Sequence, residues 1–146
     1  MAALAVSAIA ESEHACSDVL DHPESVYRAC TGMKLFNQEV LRIVLLNAKQ
    51  RLITMVDISK GTLNEAIAHP REIFRPVITH SAFSFILVHN HPSGDPLPSE
   101  ADVRLTRRIL KASKILQIQL MDRVIVGQPI NGNQGYFSFK EGGLIG

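Results

Sequence analysis

Two histidines and one aspartate carry the chemistry that this sequence offers. His89 and His91 end an apolar run, Phe83-Ser84-Phe85-Ile86-Leu87-Val88, and residues two apart on an extended strand project to the same side. Pro92, Pro96 and Pro98 stiffen the loop that follows, and Asp102 stands at the start of a helix-patterned segment beyond it. Two neutral imidazole nitrogens and one carboxylate make a three-ligand set for a single zinc ion. A fourth position left open to water marks a catalytic zinc site, whereas structural sites are closed by four protein ligands.

Each residue also has a plainer reading. Ser99-Glu100-Ala101-Asp102 has the form of a helix capping box, in which both side chains satisfy backbone N–H groups. Capping alone needs no histidines. A turn of about 100° per residue puts Asp102 beside Ile109, on the side shared by Leu105, Ala112 and Leu116. A carboxylate turned toward a core is costly unless a charge or metal meets it, so Asp102 reads as a ligand and Ser99 as both cap and site residue. A lone histidine at a strand end reads as a hydrogen-bonded structural group. Two on one side, followed by Pro-Ser-Gly and an inward aspartate, read as ligands. Asn90 points the opposite way and is expected to hold the loop. His14, His22, His69 and His80 have no comparable partners, and His69, before Pro70, reads as structural or as a residue approaching the site.

The pattern His89-x-His91-Pro92 followed by Ser99-x-x-Asp102 resembles the JAMM metalloprotease motif of MPN-type domains. More narrowly, His89-Asn90-His91-Pro92-Ser93-Gly94 resembles the signature of the bacterial RadC family, labelled DNA-repair proteins. Gly61-Thr62-Leu63-Asn64, His69-Pro70-Arg71-Glu72 and Tyr136-Phe137-Ser138-Phe139-Lys140-Glu141 extend the likeness over residues 22–144. The stretch before residue 22 is too short for the DNA-binding helix-hairpin-helix region that many members carry, so the resemblance covers the catalytic-type domain alone. It implies a mixed-sheet α/β fold, JAMM/MPN-like, with helices layered on a central sheet as in cytidine deaminases. It further implies one Zn2+ held by His89, His91 and Asp102, with a glutamate from an earlier element as general base. The hydroxyl of Ser99 would stabilise the tetrahedral oxyanion.

Glu39 is the candidate base, because it opens a strand-like run in which Leu41 and Ile43 share its side. Glu65 and Glu72 are rivals, and an exposed glutamate at a strand start is the plainer reading. The implied reaction is metallopeptidase-like hydrolysis of an amide or isopeptide bond, with an association with DNA repair. A metal-dependent nuclease or phosphoesterase and a non-catalytic binding module stay open beside it. An adjacent His-Asn-His triplet is not the arrangement of HNH nucleases, whose histidines spread through a ββα-metal unit. A His₂Asp set also suits zinc better than magnesium. Where RadC proteins usually have Asp-His near the start of the late strand, this chain has Asp122-Arg123.

The elements that must position these groups follow from periodicity. A short helix runs from Pro23 to about Thr31 and is stopped by Gly32. Residues 39–46 and 51–59 form a hairpin, turned at Asn47–Gln50 and ended by Gly61-Thr62. A helix from Pro70 to about Ala82 buries Ile73, Phe74, Val77 and Ile78, with a kink at Pro76. Residues 83–89, apolar on both faces, belong mid-sheet. A helix from Ser99 to about Gln117 precedes strands at 118–126 and 136–140, joined by a turn at Asn131-Gly132-Asn133.

With 146 residues, 46% hydrophobic and 20% charged, the chain has the composition of an ordinary globular domain with a single core. The net charge of +1 gives no global pull toward nucleic acid or membrane, so any such binding is local. Arg104, Arg107, Arg108, Lys111 and Lys114 lie opposite the apolar stripe of the site helix, and read as a solvated basic face or as a patch for nucleic acid or an acidic partner. Cys16 and Cys30 form no Cys-x-x-Cys pair and read as reduced thiols of a cytoplasmic protein. The apolar opening at residues 1–10 lacks a basic n-region and is too short to span a bilayer. Residues 1–21 are therefore set apart as an N-terminal tail and 22–146 as the hydrolase domain. The pattern is silent on oligomeric state.

Overall fold

A computed structural model of the chain describes residues 19–60, 69–130 and 132–145. Its elements are helix α1 (Pro23–Ala29), a 3₁₀ turn (Thr31–Leu35), strands β1 (Val40–Leu46) and β2 (Leu52–Lys60), and helix α2 (Pro70–Thr79). Strand β3 (Ser84–Asn90), helix α3 (Glu100–Leu116) and strands β4 (Gln119–Val126) and β5 (Tyr136–Ser138) complete them. One five-stranded sheet has the order β2-β1-β3-β4-β5. β3 and β4 run parallel, with α3 as the crossover, and the other neighbours are antiparallel. This is the mixed-sheet α/β architecture expected from the sequence. β3 is the middle strand and all of its residues are buried, as a strand with both faces covered requires.

Alternation along the strands builds two cores. Leu41, Ile43, Leu45, Phe85 and Leu87 pack against Ile73, Phe74 and Val77 of α2 and Leu105 and Ile109 of α3. Val40, Val44, Leu46, Ile86 and Val88 pack on the other face with Leu20, Val26, Cys30 and Met33. Carrying the period onward places His89 on the α3 face after Leu87, and Asn90 on the opposite face after Val88. In β4 the alternation slips once, because Phe85 pairs with Leu120 but Ile86 with Asp122. An extra residue exchanges the faces taken by everything after it. Leu120 and Ile125 therefore share the α2/α3 core while Val124 and Val126 lie opposite. The same slip turns Arg123 inward, toward α3.

The loop after β3 is laced to the end of β4. His91 N–H donates to Val126 O at 3.0 Å and Gln128 N–H donates to Gly94 O at 2.8 Å. A Cβ added at Gly127 would stand 2.4 Å from that Gly94 oxygen, and Gly94 itself has φ +90°, where side chains are strained. Backbone meets backbone here, and only glycine fits.

Several boundaries differ from expectation. α1 ends at Ala29 and Gly32 falls within the 3₁₀ turn. α2 continues through Pro76 but stops at Thr79, short of Ala82. Ile78, expected to be buried, is 56% exposed, and Leu116 is 43% exposed. Each sits at the rim of its helix's apolar face, and with Ala112 they line an open groove between α2 and α3. β5 ends at Ser138: Phe139 N–H still donates to Arg123 O at 2.9 Å, but Lys140 N–H turns to the Asp122 carboxylate at 3.0 Å, which also accepts from Ser138 Oγ at 2.6 Å. Leu20 is already in the core, and Val19 pairs with Arg51. The readings at His14, Cys16, Gly61-Thr62, Glu65 and Asn131 lie outside the described residues. Among the described residues no helix is long and apolar enough to cross a membrane.

Cys30 is a buried free thiol. Burial pushes its pKa up to about 11 from an ordinary value of 9.0, since a thiolate there is not solvated. A raised folded-state pKa means stability that is complete below about pH 9 and lost as pH rises through about 11. In a Cys16→Ser background, iodoacetamide at pH 8 should label Cys30 only after unfolding. Urea titrations across that pH interval should show an alkaline loss on the order of 3 kcal/mol that Cys30→Ala lacks.

Candidate metal centre

The end of β3, the start of α3 and the segment leading into β1 meet at one point. The rings of His89 and His91 lie edge-to-face with centroids 4.8 Å apart, and their Nε2 atoms are 2.9 Å apart. Asp102 sits in the first turn of α3 within a complete capping box. Ser99 Oγ accepts from Asp102 N–H at 3.1 Å, and Ser99 N–H donates to Asp102 Oδ2 at 2.8 Å. The same carboxylate reaches both rings, with Oδ1 3.3 Å from His89 Nε2 and Oδ2 3.3 Å from His91 Nε2. Capping and site-building are thus one arrangement rather than competing readings of Ser99-x-x-Asp102. Donors about 2.0–2.1 Å from a tetrahedral zinc stand about 3.3 Å from each other; each ring meets a different oxygen of Asp102 at that separation, and the two ring nitrogens are 2.9 Å apart.

Glu39 directly precedes β1 and is half-buried. A carboxylate oxygen of Glu39 and ring nitrogens of His89 and His91 all lie within 4.8 Å of one another, a group able to hold a metal ion. Of its rivals, Glu72 lies instead near Arg71 and Arg75, at 3.7 Å from each. Ser99 is exposed at the lip of the site.

Sequence reasoning missed what places Glu39. Asn90 accepts from Val40 N–H at 2.8 Å through Oδ1 and donates from Nδ2 to Gln38 O at 3.0 Å. It therefore straps the residues on either side of Glu39, rather than holding the loop after β3 as expected. Its side chain emerges on the α1 face of the sheet, where the entry to β1 lies. The loop is held instead by His91 Nδ1, which donates to Asp95 O at 2.8 Å. The remaining described histidines are local: His69 accepts from Arg71 N–H at 3.0 Å, His80 binds Pro76 O, and His22 pairs with Asp21.

Arg123 is the second residue whose place the sequence concealed. It is 1% exposed. Nη1 donates to Asp102 O and Thr106 Oγ1 at 2.8 Å each, and Nη2 lies 3.3 Å from Asp102 Oδ1 and 3.1 Å from His89 Nδ1. Its Cζ lies 5.4 Å from the Phe139 ring centre, and its Nε has no partner. Burial brings the guanidinium down to about 10, against the pull of Asp102 and Glu39, and it stays charged at neutral pH. Burial, reinforced by Arg123, holds His89 down at about 4. His91 is raised: burial lowers it, but Asp102 and the Asp95 carbonyl outweigh that. Burial would lift Asp102, yet the neighbouring His89 and His91 rings and the Ser99 N–H hold it well below the carboxylate range. At neutral pH the centre therefore contains an ionised carboxylate, an uncharged His89 and a buried cation.

On the outer side of α3, Arg104, Arg107, Lys111 and Lys114 are exposed and Arg108 is half-buried. Arg104 reaches Glu100 at 4.0 Å.

Removing one member of a buried ion pair strands the other. Asp102→Ala is expected to cost about 3–5 kcal/mol in urea unfolding, because the Arg123 guanidinium is left uncompensated. Adding Arg123→Met should recover more than half of that loss.

A family model described as a RadC-like JAB domain matches residues 20–144. A UPF0758 protein of Syntrophomonas wolfei is 46% identical over 132 residues, which is 87% of this chain and 54% of that protein. A UPF0758 protein of Clostridium beijerinckii is 47% identical over 113 residues, covering 77% of this chain and 47% of its own. One from Symbiobacterium thermophilum is 45% identical over 127 residues, covering 86% and 52%. The chain spans about half the length of these curated relatives. The match takes in the histidine pair, the capping aspartate and every strand of the sheet, and the chain belongs to the RadC-like JAB-domain family.

Proposed function

We propose that this chain is the hydrolytic domain of a zinc-dependent, metallopeptidase-type enzyme acting on an amide or isopeptide bond. One observation carries the reading: the two Nε2 atoms and the Asp102 carboxylate converge within 3.3 Å, with the Glu39 carboxylate beside them. His89, His91 and Asp102 would hold the ion. When bound, zinc supplies Lewis acidity toward a carbonyl oxygen and makes water acidic near pH 7.

The remaining chemistry belongs to the chain's own groups. Glu39, strapped beside the histidines by Asn90, takes a proton from the attacking water and delivers it to the departing amine nitrogen. Ser99 Oγ already accepts from Asp102 N–H, which leaves its own proton to donate to the carbonyl oxygen as charge builds there. Water is added across the C–N bond, giving a carboxylic acid and an amine.

The test incubates zinc-loaded protein with peptide, isopeptide-linked and nucleic-acid substrates. Glu39→Gln should keep the metal and lose about 10²–10⁴-fold in turnover, and Asp102→Asn should lose metal and turnover together. Cleavage of nucleic acid but not of peptide bonds, abolished in both variants, would replace this reading with a phosphoesterase. Bound metal with no turnover on any substrate would leave a binding module. DNA retention at low salt that is unchanged by Arg107→Ala with Arg108→Ala would remove the α3 basic face as a nucleic-acid patch.

A further inference from the structure

The two candidate histidine ligands are held from behind by opposite kinds of partner. His91 Nδ1 lies 2.8 Å from the carbonyl oxygen of Asp95. A carbonyl only accepts, so Nδ1 carries the proton and Nε2 presents a lone pair, the usual presentation of a metal-binding imidazole. His89 Nδ1 instead lies 3.1 Å from Arg123 Nη2. A guanidinium has five donors and no acceptor. His89 Nδ1 must therefore accept, and the neutral ring carries its proton on Nε2. That N–H has acceptors in front of it: His91 Nε2 at 2.9 Å and Asp102 Oδ1 at 3.3 Å. Arg123, His89, His91 and Asp102 are thus linked through the His89 ring, which accepts at Nδ1 and donates from Nε2, without an ion.

A cation taking His89 Nε2 has to displace this proton. If the proton moves to Nδ1, it meets the Arg123 Nη2 donor head-on. If it leaves the ring, the imidazole gives up its last N–H proton and becomes an imidazolate anion. The guanidinium also lies 3.3 Å from Asp102 Oδ1, so a dication would share its carboxylate with a second, permanent positive charge. We propose that Arg123 is a positioning residue that sets weak metal affinity at this centre, by holding His89 in the tautomer opposed to coordination. The inference rests on His89 and Asp102 being ligands. It adds that zinc occupies the site only at the expense of an arrangement Arg123 stabilises.

The experiment has one arm without metal and one with it. Nitrogen-15 NMR of the histidine side chains in the metal-free protein at pH 8 should show His89 protonated on Nε2 and His91 on Nδ1. His89 found with its proton on Nδ1 would overturn the proposal, with no variant needed. In the second arm, zinc affinity is measured by competition with a chromophoric chelator for wild type, Arg123→Gln, Arg123→Lys and His91→Ala. Glutamine offers a carbonyl oxygen that accepts from Nδ1–H, and partners of this kind change metal affinity by about 10–100-fold. Arg123→Gln should bind zinc at least about tenfold more tightly, and Arg123→Lys, still a cation without an acceptor, should stay near wild type. A folded Arg123→Gln binding no more tightly than wild type would overturn the proposal and leave the metal reading standing. Affinities no higher than that of His91→Ala in every protein would overturn both.

Discussion

A carboxylate placed inside a protein must be answered by charge and hydrogen bonds, since removing an ion from water costs several kcal/mol even after relaxation. Asp102 imposes that demand at the first turn of α3, where it is 9% exposed. A backbone N–H at Ser99, two imidazoles and the Arg123 guanidinium answer it. These groups come from the end of β3, from the loop before α3 and from β4. The crossing of α3 over the sheet, the loop after β3 and the slip in β4 are all arrangements that bring one of them within reach.

The sheet allocates these groups by face. Adjacent residues at the end of β3 do different work because a strand sends neighbours to opposite sides. His89 goes to the α3 side and joins the charged cluster. Asn90 goes to the α1 side and holds the backbone around Glu39. One short strand end therefore contributes both to the candidate ligand set and to the position of the candidate base. β1 lies alongside, with Leu41 opposite His89, so the two carboxylate-bearing segments flank the same strand end.

What could be read from the sequence was what local periodicity encodes. An apolar run with no polar face marked β3 as central, and paired histidines at its end marked the site. The Ser99-x-x-Asp102 spacing announced the helix start that brings a carboxylate there. What could not be read depended on partners remote in the chain. Asn90 looked like a loop-holding residue because its true partners, Gln38 and Val40, are distant in sequence and meet it only across the β1–β3 ladder. Arg123 stood out in the sequence only as a departure from the Asp-His usual in RadC proteins. Its direction depends on an irregularity in β4 that periodicity does not predict. Ile78 and Leu116 obeyed the helical pattern, yet sit where the two helix faces part around an open groove.

The Asn90 strap has a consequence for when the machinery comes into being. It ties positions 50 residues apart, and the parallel pairing of β3 with β4 closes only after the whole of α3 has been laid down. Long-range closures of this kind are late events in folding. A nascent or partly unfolded copy carries the neighbouring imidazoles but neither carboxylate in position. The histidines and the two carboxylates are brought together only in chains that have finished folding.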